Sequence, residues 1–133
     1  MQNFINRYPS SEFRNDAAEV INDIQEKLEL KAYENAKLYF KLEYFKASIV
    51  AFDSFANDFP VSDFNEEIAY KKFVAQFLLA EKSIPSKQEE RYRKANEFYL
   101  DFLDTYPTSS YLRDADKKYG ASLNRLNQIA KKN

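Results

Sequence analysis

Phe55-Ala56-Asn57-Asp58-Phe59-Pro60-Val61-Ser62-Asp63-Phe64 decides how this chain is read. Pro60 lacks the N–H that would continue a helix, and it disfavours helical geometry in Phe59, so a helix must stop here. Ser62 is of the residue type that opens a helix by accepting a bond from a free backbone N–H, which predicts a new helix from that point. The same spacing recurs as Phe4, Tyr8, Pro9, Ser11, Phe13 and as Phe102, Tyr106, Pro107, Ser109, Tyr111. The prolines return after 51 and then 47 residues. Self-similarity on this scale marks a repeat architecture, with each copy acting as a helix-stop, helix-start joint whose aromatics pack across the turn.

Working outward, apolar residues recur at helical spacing between the joints. Ala17, Val20, Ile21, Ile24, Leu28, Ala32, Ala36, Tyr39 and Phe40 form one stripe, which predicts a long helix over 11–43, roughly 50 Å at 1.5 Å per residue. Its continuity past Leu30 is left open. A turn at Glu43-Tyr44 leads to a helix over 45–58 with Phe45, Ile49, Phe52, Ala56 and then Phe59 inward. A third helix is predicted over 62–82 with Phe64, Ile68, Val74, Phe77 and Leu78 inward, followed by a loop from Ser83 to Lys87. The last two are predicted over 87–105 (Tyr92, Ala95, Phe98, Tyr99, Phe102, Leu103) and 109–131 (Leu112, Ala115, Tyr119, Ser122, Leu126, Ile129). Gly120, inside the last helix, reads as a point of close approach.

Composition agrees with helices and removes most chemistries. There is one glycine among 133 residues, with 12 Phe, 10 Tyr and no Trp, His or Cys. Without histidine or cysteine most acid–base relays are removed, and there is no Ser-His-Asp site, no thiolate chemistry and no site of the usual zinc type. A single glycine also excludes phosphate-cradling loops. Glu12, Asp16, Glu19 and Asp23 lie at helical spacing and suit a hard cation in principle. They read instead as a solvated acidic face near a helix N-terminus, as do Glu66 and Glu67. The net charge of −1, from 20 basic and 21 acidic residues, gives no basic stripe for nucleic acid. No catalytic, cofactor-binding or metal-binding residue is nominated, and no small-molecule substrate. Met1-Gln2-Asn3-Phe4 opens without the charged start and apolar stretch of a signal peptide, and no apolar run approaches the roughly 20 residues of a membrane span. The chain is expected to be soluble.

The register also fits the tetratricopeptide repeat, although the unit here exceeds that repeat's roughly 34 residues. Counting back from Pro60, small and aromatic residues fall at Ala36, Tyr39, Ser48, Phe52 and Phe55; from Pro107, at Ala95, Tyr99 and Phe102. Ser48 stands where alanine is usual, and Glu43 replaces the common turn glycine, which leaves that turn less well defined. The expected fold is all-α: a right-handed tetratricopeptide-like solenoid of antiparallel pairs with five to six helices. Residues 1–9 would be the tail of a truncated helix, 10–60 and 61–107 two repeats, and 108–133 a capping helix.

Ala36-Lys37-Leu38-Tyr39-Phe40, Phe45-Lys46-Ala47-Ser48, Phe52, Phe59-Pro60-Val61-Ser62, and the polar run Ser83 to Tyr92 before Ala95 and Tyr106-Pro107 together resemble the BamD-like outer membrane assembly lipoproteins, in particular those of Bacteroidetes-type bacteria. The resemblance implies a C-terminal part of such a protein, its signal, lipidated cysteine and earlier repeats missing. Membrane contact would then come only through a lipid anchor absent from this chain. It further implies a non-catalytic scaffold at the periplasmic face of the outer membrane. Its partners would be the periplasmic domains of a BamA-like barrel insertase and other subunits of the assembly machinery. A peptide-gripping tetratricopeptide adaptor in envelope biogenesis is the alternative. For docking, the outward strip of the second helix, Lys46, Val50, Asp53 and Asn57, is nominated because Val50 is apolar on an otherwise polar face. Tyr33, Tyr44, Tyr70 and Tyr92 lie at stripe edges or turns and are expected to be partly exposed, with hydroxyls free for water or a partner.

Overall fold

The computed structural model describes residues 10–132, with side chains from Asp16 onward. The expected helix tail at 1–9 and the first copy of the joint therefore lie outside the described residues. Five helices are present among the described residues: α1 (Ser10–Lys41), α2 (Phe45–Asp58), α3 (Asn65–Glu81), α4 (Pro85–Thr105) and α5 (Leu112–Lys132). The described residues are all-α, consistent with a tetratricopeptide-like helical repeat, and the long first helix is unbroken.

Consecutive helices run antiparallel, as the aromatic contacts record. Phe40 near the end of α1 meets Phe45 at the start of α2 at 5.9 Å, while Tyr33 reaches Phe55 near the end of α2 at 6.3 Å. Phe77 and Tyr92, Phe73 and Tyr99, and Tyr70 and Phe102 then align α3 against α4. Tyr99 stacks on Tyr119 of α5 at 4.2 Å. Two buried clusters result. One gathers Tyr33, Ala36, Phe45, Phe52, Phe55, Ile68 and Ala75 from α1, α2 and α3. The other gathers Phe73, Phe77, Ala80, Tyr92, Ala95, Tyr99 and Ala115 from α3, α4 and α5. α3 belongs to both, so consecutive residues from Phe73 through Phe77 are buried, Gln76 among them with its Nε2 donating to Arg91 O. The alanines Ala36, Ala95 and Ala115 and the serines Ser48 and Ser122 are fully buried, which lets neighbouring helix axes come close.

The two described joints are built alike, and differently from the prediction. The Ser62 and Ser109 side chains do not cap helices. Each accepts from the backbone N–H two residues on, of Phe64 and Tyr111, at 3.1 Å. The backbone first closes a turn from Phe59 O to Ser62 N–H, then another from Ser62 O to Asn65 N–H; Tyr106, Ser109 and Leu112 repeat both bonds. The helices therefore begin at Asn65 and Leu112, three residues later than the serines suggested, because the hydroxyls serve the turn rather than the helix. Before each joint, Phe55 and Phe59, or Phe102 and Tyr106, pack at 5.1 and 5.5 Å.

A second repeated device was not visible as a motif. Tyr33 stacks on Phe64 at 4.0 Å and donates its hydroxyl to Glu67 at 2.5 Å, while Lys37 donates to the same hydroxyl at 3.0 Å. Tyr70 likewise stacks on Tyr111 at 4.6 Å and donates to Asp114, whose other partner is Lys118. In each case a tyrosine of one helix stacks on the last aromatic of a joint. Its hydroxyl then pairs with the carboxylate three residues further on. These clamps fix α1 to α3 and α3 to α5 across the intervening helix.

The α1–α2 turn is well defined, contrary to expectation. Glu43 takes the left-handed conformation at φ 64°, and the N–H groups of Glu43 and Tyr44 bond Phe40 O and Tyr39 O. This is the pattern usually closed by glycine. The Glu43 carboxylate meets Lys82 at 2.5 Å. α4 starts earlier than predicted because Pro85 sits inside its first turn, where its missing N–H costs nothing. Gln88 and Arg91 then bond Ala80 O and Ser83 Oγ, closing the short connection.

Three expectations about packing fail. Val20, Ile21, Ile24 and Leu28 are each more than half exposed. α2 is 14 residues long and pairs only with the later part of the 32-residue α1. Ala56 is exposed on the flank of α2 rather than inward; Tyr39 and Leu103 are also exposed. Gly120 approaches nothing, since a methyl group added there meets no atom within 4 Å. An exposed helix-interior glycine only adds freedom to the unfolded chain, so Gly120→Ala should stabilise by about 0.5–1 kcal/mol, read as a raised midpoint in urea unfolding.

Candidate docking surface

α2 has two contrasting faces. Phe45, Ser48, Phe52 and Phe55 are buried, at the three- and four-residue spacing of one helix side. The opposite side carries the nominated Lys46, Val50, Asp53 and Asn57, all exposed, with Val50 at 65%. The structure thus brings the four together on one surface. Asp53 is not an isolated charge: its carboxylate meets Lys72 of α3 at 2.6 Å, and the Lys72 ammonium lies 4.2 Å from the centre of the Phe98 ring.

The four tyrosines separate. Tyr44, 60% exposed beside the Glu43 turn, remains open to a partner. Tyr92 is 1% exposed and Tyr33 8%, because both rings fill the clusters between helices, so neither is partly exposed as expected. Tyr70 is half-buried, but its ring is stacked and its hydroxyl is taken by Asp114. The helical period put these residues at the edge of a stripe. It could not show that a third helix closes over that edge.

Burial acts on several of these phenols. The Tyr99 hydroxyl, desolvated and donating to Asp116, is pushed up to about 12. Tyr70 and Tyr33 are raised for the same two reasons in the same order, burial and then the bond to a carboxylate. Tyr106 is raised mainly by burial. Asp114 is held below its ordinary range, chiefly by Lys118 and then by the Tyr70 hydroxyl. A phenol whose folded value lies above its unfolded value of about 10 stabilises fully below that pH and loses the contribution as pH rises through the folded value. The melting temperature should therefore fall between about pH 10 and pH 12, with tyrosinate absorbance of the folded chain lagging behind that of the unfolded chain. An overlap of the two absorbance titrations would contradict the clamps.

Asp16, Glu19 and Asp23 are exposed along α1, and no cluster of carboxylates among the described residues is arranged to hold a metal ion. Glu66 and Glu67 are drawn into bonds with Ser109 and Tyr33. Missing from the sequence reading is a groove where α2 and α4 flank the start of α3, with Phe52, Ile68 and Phe102 among its apolar lining and a volume of about 290 Å³.

No helix among the described residues is long and apolar enough to cross a membrane. No curated protein matches the chain. A family profile described as outer membrane lipoprotein, YfiO, matches residues 1–69, which takes in α1, α2, the Pro60 joint and the first turn of α3. The match spans more than half of the chain and includes the joint from which the fold was read, and so the chain belongs to the YfiO, or BamD-like, outer membrane lipoprotein family.

Proposed function

We propose that the chain is a non-catalytic protein-interaction scaffold of the outer-membrane β-barrel assembly machinery, acting at the periplasmic face of the outer membrane. Its role is to dock the periplasmic domains of a BamA-like insertase. Residues 10–60 and 61–107 act as two repeats and 108–133 as a capping helix. The observation that carries this reading is the family match over residues 1–69, which ends just past α2 and its joint. The docking surface is the outward side of α2, where Val50 stands exposed between Lys46 and Asp53, with Asn57 one turn further on and Tyr44 at the near end. An apolar side chain ringed by polar ones suits the centre and rim of a protein interface.

Titration calorimetry with a purified BamA-like periplasmic domain tests this. Val50→Asp combined with Asp53→Lys should weaken binding roughly tenfold or more, the effect of losing a modest hot spot. Both substitutions leave the buried face of α2 intact, so the helical signal and melting temperature should stay close to those of the parent chain. Unchanged affinity in the double variant removes this surface from the docking role.

A further inference from the structure

We propose that the groove between α2 and α4 binds a second kind of partner segment, one that presents an apolar side chain next to an arginine or lysine. The inference rests on the reading of the chain as a protein-binding scaffold, but not on the insertase as partner. Its accessible apolar lining is Ala56, Ala69 and Phe98, backed by the buried Phe52, Ile68 and Phe102. At about 290 Å³ it has room for a large side chain and is small for a drug-sized ligand.

The charge around it is one-sided. α2 and α4 both run antiparallel to α3, so their C-terminal ends lie at the same end of the groove. Neither helix has a basic residue in its last turn. Unmatched helix C-termini carry partial negative charge, here in parallel. Asp53 and Asp101 stand on the two walls, and Asp58 and Asp104 lie further along the same ends. The opposing charges are few. Lys72 is committed to Asp53 and to the Phe98 ring, and the positive start of α3 is met by Glu66 and Glu67. Asp101 makes no ion pair with any described residue. The lining therefore selects a greasy side chain and its rim selects a cation. Lys72 is able to turn from Asp53 when a stronger cation, such as a guanidinium, arrives to pair with that carboxylate.

The probe is a fluorescein-labelled peptide of repeated Leu-Arg-Ser units, read by anisotropy against the full chain. Saturable binding is expected. It should weaken at least tenfold when glutamate replaces every arginine, and as much when serine replaces every leucine. Asp101→Lys and, separately, the groove-filling Ala69→Phe should each weaken it at least fivefold. Asp23→Lys on α1 makes the same change in net charge outside the groove lining and should leave it unchanged. The proposal is overturned by failure of the Leu-Arg-Ser peptide to saturate, or by equal losses in Asp101→Lys and Asp23→Lys, which would mean general charge attraction. Self-association of the parent chain that Ala69→Phe abolishes also overturns it, since the occupant would then be a second copy. None of these substitutions touches Val50, so insertase docking that survives loss of peptide binding leaves the scaffold reading standing; in the other direction Val50→Asp alone, which keeps Asp53 on the groove wall, should weaken insertase docking and spare the peptide.

Discussion

Phe52→Ala should destabilise the chain by about 3–5 kcal/mol, the usual cost of removing a buried phenylalanine from a core that only partly closes over the gap. The Phe52 ring is completely buried, 6.3 Å from the Phe40 ring and clustered with Phe45, Phe55 and Ile68. Three helices converge there, so no single side chain can move in to fill the space. Against a total stability of about 5–15 kcal/mol for a domain of this size, the loss is large, and the melting temperature should fall by roughly 10 °C or more. The damage should also be local. In repeat proteins each unit contacts mainly its neighbours, so opening is expected to follow the cluster that lost its ring. Amide exchange should speed up in the later part of α1 and in α2, while α4 and α5 keep most of their protection. A melting temperature that did not move would place the inward face of α2 elsewhere.

The joints made this fold legible. Phe59-Pro60 and Tyr106-Pro107 end helices for reasons that act locally, within the proline and the residue before it, and α2 begins and ends where the sequence placed it. What the sequence misplaced depended on partners that the helical period does not show, a competing turn for the serines and the next joint for the tyrosines. Ser62 and Ser109 have the chemistry of helix caps, but turns closed by Phe59 O and Tyr106 O claim them first. Tyr33 and Tyr70 sit at stripe edges by period alone; only Phe64 and Tyr111, delivered by the next joint, turn those edges into stacked clamps. Val20, Ile21, Ile24 and Leu28 satisfy the helical period perfectly well and are still exposed, because a stripe states which side can be buried and not what arrives to bury it. The α2 surface was readable since its inward face was strongly marked, leaving Lys46, Val50, Asp53 and Asn57 by subtraction. The groove was not, because it exists only where side chains of α2, α3 and α4 fail to meet.

Tyr92→Ala tests the other half of the molecule. Tyr92 is 1% exposed and lies edge-on to Phe77 at 6.0 Å, within the cluster that joins α3, α4 and α5. Its backbone carbonyl also accepts the Ser122 hydroxyl of α5, a bond that the substitution spares but whose setting it disturbs. The cost should again be about 3–5 kcal/mol, by the same cavity reasoning. Tyr92→Phe keeps the ring and should cost about 1 kcal/mol or less, since the hydroxyl has no hydrogen-bond partner among the described side chains. The pattern of amide exchange should mirror that of Phe52→Ala. α5, which buries only Ala115 and Ser122 fully, should open first, then the early part of α4, with α1 and α2 still protected. α3 is the informative element, because it lends side chains to both clusters. It should lose part of its protection in either variant and all of it in neither. If instead each substitution accelerated exchange equally in all five helices, α3 would be coupling the two clusters into one cooperative unit, and the independence of repeat pairs assumed for this chain would be lost.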